Sequence, residues 1–104
     1  MSNIKNFNKF VLENVETLNL VTIRKNILSL RGKSEGSISE ILPGFELENF
    51  DGDPKDRAYC DLVSPADKDN VVHVVAKLEF EDGIITVVNK MDDKEINEWL
   101  ENKL

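Results

Sequence analysis

The stretch VVHVVAKLEFEDGIITVVNK, residues 71–90, decides the fold of this chain. Asp82 and Gly83 separate two runs that are rich in β-branched residues. An Asp-Gly pair between such runs is a strong signal for a tight β-hairpin, because glycine readily adopts the positive φ that the turn requires. The turn fixes the pairs expected along the two strands: Glu81 with Ile84, Phe80 with Ile85, Glu79 with Thr86, Leu78 with Val87, and Lys77 with Val88.

The alternation of side chains along the hairpin assigns its two faces. The face expected to lie on the core carries Val72, Val74, Ala76, Leu78, Phe80, Ile85 and Val87. The opposite face carries Lys77, Glu79 and Thr86, together with Val71, Val75, Ile84 and Val88. These valines and the isoleucine make the second face more apolar than a purely solvated face needs to be. The sequence therefore leaves open whether this face is covered or exposed.

Two further strands are expected on the N-terminal side of the hairpin. RAYCDLV, residues 57–63, predicts a strand antiparallel to residues 71–80. The alternation of residues 45–50 predicts an edge strand that runs into an acidic stretch. Together with the hairpin, these segments predict a three- or four-stranded antiparallel sheet.

Helices are expected before and after this sheet. Apolar residues at helical spacing form a first stripe of Ile4, Phe7, Val11, Val15 and Leu18, and a second stripe, on a different face, of Leu20, Ile23, Ile27 and Leu30. The second stripe is compatible with a helix or, because its LVTI segment is β-prone, with a strand. Near the end of the chain, Ile96, Trp99 and Leu100 follow a good capping residue, Asp92, and predict a C-terminal helix.

A short helix is also expected just before the sheet. Ser37 and Glu40 have the spacing of a capping box, and Pro43 and Gly44 end the helix at Leu42. The predicted fold is therefore α+β. It is a single domain over residues 1–104, in which the sheet is preceded by one or two N-terminal helices and followed by a C-terminal helix.

The charge of the chain is strongly acidic and unevenly distributed. The net charge is −7, but six bases against three acids give +3 over residues 1–36, and seven bases against seventeen acids give −10 over residues 37–104. Phosphate binding requires clustered lysine and arginine, so direct binding to nucleic acid or to an anionic membrane is disfavoured. A basic protein is the natural partner, and assembly into a homo-oligomer is compatible with the sequence.

The N-terminal residues and the cysteine content bear on the compartment. The first twenty residues lack the basic segment and apolar run of a signal peptide, and no apolar stretch is long enough to cross a bilayer. Cys60 is the only cysteine, so no intrachain disulfide can form. We expect a cytoplasmic protein.

Residues that could support chemistry do not form a recognised motif. The segment DGDPKD offers Asp51 and Asp53 to a calcium loop, but Lys55, Asp56 and Leu62 stand where a ligand, a glycine and a glutamate are required. One histidine and one cysteine, thirteen positions apart, cannot form a zinc site of the His/Cys kind. Phosphate loops, nucleophile elbows and dinucleotide fingerprints are absent. We expect no metal, no cofactor and no enzymatic activity.

What remains is a concentration of carboxylates in the middle of the chain. If the two acidic loops lie at one end of the sheet, they form a negative surface that attracts a basic partner, with Tyr59 and Phe50 as candidate anchors. The predicted partner-binding residues are Glu46, Glu48, Asp51, Asp53, Asp56, Tyr59, Asp61, Asp67 and Asp69. The favoured hypothesis is a small inhibitor that covers the active site of a basic toxin such as a nuclease, as immunity proteins and antitoxins do. A nucleic-acid mimic is an alternative with the same acidic signature.

A second hypothesis comes from a resemblance. FEDGIITVVNKMDD, residues 80–93, resembles the last hairpin of NTF2-like domains, and SISEILPGF, residues 37–45, is similar to the short helix that precedes a strand in them. The resemblance covers about half of the chain and implies a cone-shaped α+β domain that binds a small molecule or acts as an enzyme. The chain departs from that family in being short and in lacking a polar catalytic pair.

Overall fold

The computed structural model describes residues 19–103, so the first helical stripe expected from the sequence, residues 4–18, lies outside the described residues. The described elements are, in chain order, α1 (Leu20–Leu28), a 3₁₀ helix (Glu35–Ser37), α2 (Ile38–Ile41), β1 (Glu46–Asp53), β2 (Arg57–Val63), β3 (Val74–Glu81), β4 (Ile84–Lys90) and α3 (Asp93–Asn102). The longest of these helices has ten residues, about half of what a bilayer-spanning helix needs.

The four strands form one antiparallel sheet in which neighbours in sequence are neighbours in space, in the order β1-β2-β3-β4. This arrangement confirms the predicted α+β fold, with four strands rather than three. The segment after α1 lies along the edge of β4, where the Gly32 N–H donates to the Ile85 carbonyl at 2.8 Å and the Ile85 N–H donates to the Lys33 carbonyl at 2.9 Å. β1 forms the opposite edge of the sheet.

The hairpin register agrees with the prediction only next to the turn. Glu81 pairs with Ile84 and Phe80 with Ile85 as expected, but Glu79 then pairs with Val87 and Leu78 with Val88. The three pairs predicted beyond Ile85 are therefore wrong by one residue. The cause is a β-bulge, in which Thr86 is an extra residue without a partner of its own. The bulge places Val88 against the core, three positions after the buried Ile85.

A second bulge corrects the predicted faces of β3. Leu62 pairs with Ala76 but Val63 pairs with Val74, so Val75 is the extra residue, and both Val75 and Ala76 are buried. The prediction that Val75 lies on the outer face is wrong for this reason. Val72, predicted to lie on the core, precedes β3 and is 45% exposed.

Helices cover one face of the sheet, which we call the inner face. Buried side chains of α1 and α3 pack there with those of the strands into a single core. The core includes Ile23 and Ile27 of α1 and Ile96 and Trp99 of α3. Residues 20–28 of the second stripe are therefore helical, and the strand alternative is wrong. Leu30 follows the helix and is buried in the same core. Asn19 caps α1 by accepting a hydrogen bond from the Thr22 N–H at 2.9 Å.

The side-chain caps expected for the other two helices are not formed. Ser37 has helical dihedral angles because it ends the 3₁₀ helix, so its side chain is not placed to cap α2. Asp92 occupies the N-cap position of α3 without a side-chain capping bond. The short helix and the C-terminal helix are nevertheless present where the sequence predicts them.

Candidate functional site

A third bulge, in β1, determines the character of the outer face of the sheet. Glu48 pairs with Asp61 and Asp51 with Tyr59, so both Asn49 and Phe50 lie opposite Cys60. Asn49 has a φ of 60°, in the left-handed region that asparagine tolerates better than most residues. Two residues facing one is the pattern of a β-bulge, and it reverses the alternation of β1 at this point.

The reversal places all four carboxylates of β1 on the outer face. Residues paired across an antiparallel sheet point to the same side, and Tyr59 and Asp61 point away from the helices. Without the bulge, Asp51 and Asp53 would face the core beside Ala58. We call the gathered set the acidic face: Glu46, Glu48, Asp51, Asp53, Asp61, Glu79 and Glu81.

Two cations lie within the acidic face, and both are engaged by carboxylates. Lys77 Nζ donates to Asp61 Oδ1 at 2.9 Å, and Asn49 Nδ2 donates to Asp61 Oδ2 at 2.9 Å. These two hydrogen bonds, with that from Lys77 the stronger, hold the pKa of Asp61 below its usual value. Arg57 Nη2 lies 4.0 Å from Glu81 Oε2. The four carboxylates of β1 have no salt bridge to a described residue.

An open groove of about 360 Å³ runs across the acidic face. Its walls include Tyr59, Lys77 and Glu79, and Tyr59 is 47% exposed. The other anchor considered, Phe50, lies on the inner side of the sheet, where its ring centroid is 6.3 Å from that of Phe80. Tyr59 is thus the aromatic side chain that the acidic face presents.

The two acidic loops do not lie at the same end of the sheet, so they do not form the single negative surface expected if they did. In a sheet of consecutive antiparallel strands, the β1–β2 loop and the β2–β3 loop lie at opposite ends. Asp56 is in the first loop, which contacts the hairpin turn: the Gly83 N–H donates to the Pro54 carbonyl at 2.8 Å. Asp69 is in the second loop, away from Asp51, Asp53 and Asp56.

Asp67 is also in the second loop and does not project into solvent, since it is only 5% exposed. Its Oδ1 accepts the N–H groups of Asp69 at 2.8 Å and Val71 at 3.1 Å. Its Oδ2 lies 3.0 Å from His73 Nε2. The hydrogen bond with His73, more than those with the backbone, keeps the pKa of Asp67 low. The carboxylate of Asp67 thus organises its own loop and does not join the acidic face.

Two further residues singled out in the sequence now have defined surroundings. Cys60 is buried, and burial, with a smaller contribution from Asp61, raises the pKa of its thiol to about 11.

His73 lies just before β3 and, with Glu95 and Glu98 of α3, forms a cluster in which one ligand atom from each residue lies within 4.8 Å of the others. The sequence gives no signal for this cluster, because His73 is more than twenty positions away from Glu95 and Glu98 and meets them only through the fold.

No protein family, no curated protein and no solved structure matches this chain. The resemblance to NTF2-like domains therefore receives no support from these comparisons.

Proposed function

We propose that this protein binds a basic protein partner through the acidic face and inhibits it, in the manner of a small immunity protein or antitoxin. The observation that carries the proposal is the β1 bulge, which places four carboxylates of one edge strand on the same face of the sheet. Regular alternation would divide them between solvent and core.

The charge balance of the acidic face supports a cationic partner. Its seven carboxylates outnumber the two cations, Arg57 and Lys77, that lie among them. A surface of one sign raises the association rate of an oppositely charged protein, and this effect weakens as salt is added. Tyr59 supplies the kind of half-exposed aromatic side chain that is enriched at the centres of interfaces.

The inner face supports partner binding rather than a ligand pocket. In a cone-shaped domain of the NTF2-like kind, a pocket would lie between the sheet and the helices. Here Leu78, Phe80 and Ile85 of the strands and Ile23 and Ile27 of α1 are almost completely buried there against one another. A nucleic-acid mimic would use the same acidic face and would differ only in its target.

The proposal can be tested with two triple variants of equal charge. Glu48→Gln/Asp51→Asn/Asp53→Asn removes three of the seven carboxylates of the acidic face, and Glu35→Gln/Glu40→Gln/Glu101→Gln removes the same charge from exposed positions outside that face. Each purified protein is used to capture partners from a lysate of the native host at low salt, and captured proteins are identified by mass spectrometry. We expect the unmodified chain and the control triple to retain the same basic protein and to release it at high salt.

The acidic-face triple should fail to retain that protein while keeping the native circular dichroism spectrum. The captured protein is then purified, and its activity is measured with and without the unmodified chain; inhibition is the expected result. If both triples lose the partner equally, net charge and not the position of the carboxylates determines the binding, and the role of the acidic face is contradicted. Capture that both retain, or a partner whose activity is unaffected, would contradict the proposal.

A further inference from the structure

The end of the sheet opposite the hairpin turn contains a second polar cluster, which lies apart from the acidic face. His73 is just before β3, and Glu95 and Glu98 are one turn apart on α3. Residues three apart on a helix point to the same side, so both carboxylates face the loop that holds the imidazole. One ring nitrogen and one oxygen from each glutamate lie within 4.8 Å of one another.

The buried Asp67 fixes the orientation of the imidazole ring. Two backbone N–H groups hold Oδ1 of this carboxylate, and the ring nitrogen Nε2 of His73 lies 3.0 Å from Oδ2. An ionised carboxylate only accepts hydrogen bonds, so in the neutral imidazole Nε2 carries the proton and the other nitrogen, Nδ1, keeps its lone pair. A histidine that donates one N–H to a carboxylate and offers its second nitrogen is the usual arrangement around a protein-bound metal.

The second ring nitrogen of His73, Nδ1, has no hydrogen-bond partner among residues 19–103. The His73 side chain is nine-tenths buried, with 10% exposure, and its Nδ1 lies 4.0 Å from Glu95 Oε2, which is beyond hydrogen-bond range. Among residues 19–103, the one side-chain polar atom that is both fully buried and unpaired is Trp99 Nε1, so His73 Nδ1 keeps contact with solvent and an ion can reach it. Its position between two carboxylates is one that a cation would satisfy.

We propose that His73 Nδ1 and the carboxylates of Glu95 and Glu98 bind a divalent transition-metal ion, for which Zn²⁺ is the natural probe. One nitrogen and two oxygens from the protein leave the fourth tetrahedral position to water. Two ligands at about 2.1 Å from a tetrahedral zinc ion lie about 3.4 Å apart. The cluster must therefore contract by about an ångström. The Glu95 side chain is 42% exposed and is free to make this movement.

The metal class follows from the donor atoms. Imidazole nitrogen favours Zn²⁺ and its first-row neighbours over the hard ions Ca²⁺ and Mg²⁺, which prefer oxygen ligands alone. The ion would also offset the repulsion between the two glutamates and the nearby Asp67. This inference does not depend on the partner-binding proposal, because none of its ligands belongs to the acidic face.

The test uses the full chain without an affinity tag, so that His73 is the only histidine and the buried Cys60 the only cysteine. Zn²⁺ is titrated at pH 7.5 by calorimetry, and thermal unfolding is followed with and without the metal. We expect saturable binding of one Zn²⁺ per chain, a raised Tm, and at least tenfold weaker binding of Ca²⁺. His73→Gln and the double variant Glu95→Gln/Glu98→Gln should each abolish the binding.

Asp67→Asn tests the positioning role of the buried carboxylate. An asparagine amide donates to Nε2, which moves the ring proton to Nδ1 and blocks the ligand atom. Zinc affinity should fall at least tenfold, and nitrogen NMR of the single imidazole should report the changed tautomer. The matched control is Glu101→Gln, on the same helix, which should bind Zn²⁺ as the unmodified chain does. No saturable Zn²⁺ binding, or binding that survives in a folded His73→Gln variant, would overturn the proposal.

Discussion

Cys60 illustrates at the scale of one residue how burial determines chemistry. Its thiol lies in the core beside the backbone of Asp61, and both burial and the neighbouring carboxylate disfavour the thiolate. Alternation along RAYCDLV places Cys60 on the same face of the strand as Ala58 and Leu62, and this pattern predicts a packing role for the thiol. All three are buried.

The raised pKa of Cys60 gives a direct prediction for its reactivity. A shift from 9.0 to about 11 lowers the thiolate fraction at pH 8 about a hundredfold. We expect native protein to react with a disulfide reagent at least a hundred times more slowly than denatured protein, as followed by absorbance. The folded state holds this proton more tightly than the unfolded state, so this group should lower the stability as the pH rises from about 9 to about 11. Equal rates before and after denaturation would show that the thiol is accessible.

Other single residues could not be predicted from the sequence. His73 falls in the stretch 71–80 that the sequence predicts to be a strand, yet it precedes β3 and meets Asp67, six positions away. The two residues meet through a turn that the backbone N–H groups of Asp69 and Val71 stabilise. Short-range spacing does not reveal this contact, because it depends on how a loop of polar residues closes. Asp67 was grouped with exposed acids for the same reason.

At the scale of elements, the helices and strands can be predicted from the sequence, whereas the three bulges cannot. The periodicities of α1, α3 and the four strands result from one apolar face per element, and that signal is local. A bulge adds one residue and shifts the register, and it is selected by packing across the sheet. The bulges at Asn49–Phe50, Val75 and Thr86 therefore changed which side chains share a face. Asn49 is a local feature compatible with its bulge, because asparagine tolerates the left-handed region better than most residues.

Gly52 is the position in β1 where the close pairing after the bulge can be tested. It has a φ of 105°, and a Cβ atom there would lie 2.3 Å from the Arg57 carbonyl oxygen. Gly52→Ala should therefore destabilise the protein by about 2 kcal/mol or more, since it combines backbone strain with a clash against main-chain atoms. Urea unfolding measured by circular dichroism gives the free energy.

Gly36→Ala is the matched control, because Gly36 does not have a positive φ and its Cβ would meet no atom within 4 Å. Its free energy of unfolding should stay the same or rise by up to about 1 kcal/mol, through the reduced entropy of the unfolded chain. Equal effects of the two substitutions would contradict the pairing of Gly52 with Ala58 that places Asp51 and Asp53 on the outer face.

At the scale of the whole molecule, the acidic face has a consequence for stability that does not require a partner. Seven carboxylates on one face of a sheet repel one another, and that repulsion is screened as salt rises, because the Debye length falls to about 10 Å at 0.1 M and about 3 Å at 1 M. We expect the Tm to rise between low salt and 0.5 M NaCl. The triple Glu48→Gln/Asp51→Asn/Asp53→Asn should raise the Tm at low salt and reduce its dependence on salt.

The equal-charge control Glu35→Gln/Glu40→Gln/Glu101→Gln should keep most of the salt dependence, because these exposed residues are not members of the acidic face. Differential scanning calorimetry of the three proteins makes the comparison. A lower Tm of the acidic-face triple at low salt would mean that these carboxylates stabilise the fold. It would contradict the prediction that their mutual repulsion lowers the stability.

The most direct measurement for the acidic face is a hydrogen–deuterium exchange map of the chain bound to the basic protein it captures. We predict slower exchange in the complex at the β1 amides and at the flanks of Tyr59, with helix α3 unchanged. Protection confined to α1, α3 or the loop around Asp67, with none on β1, would contradict the assignment of the acidic face as the binding surface.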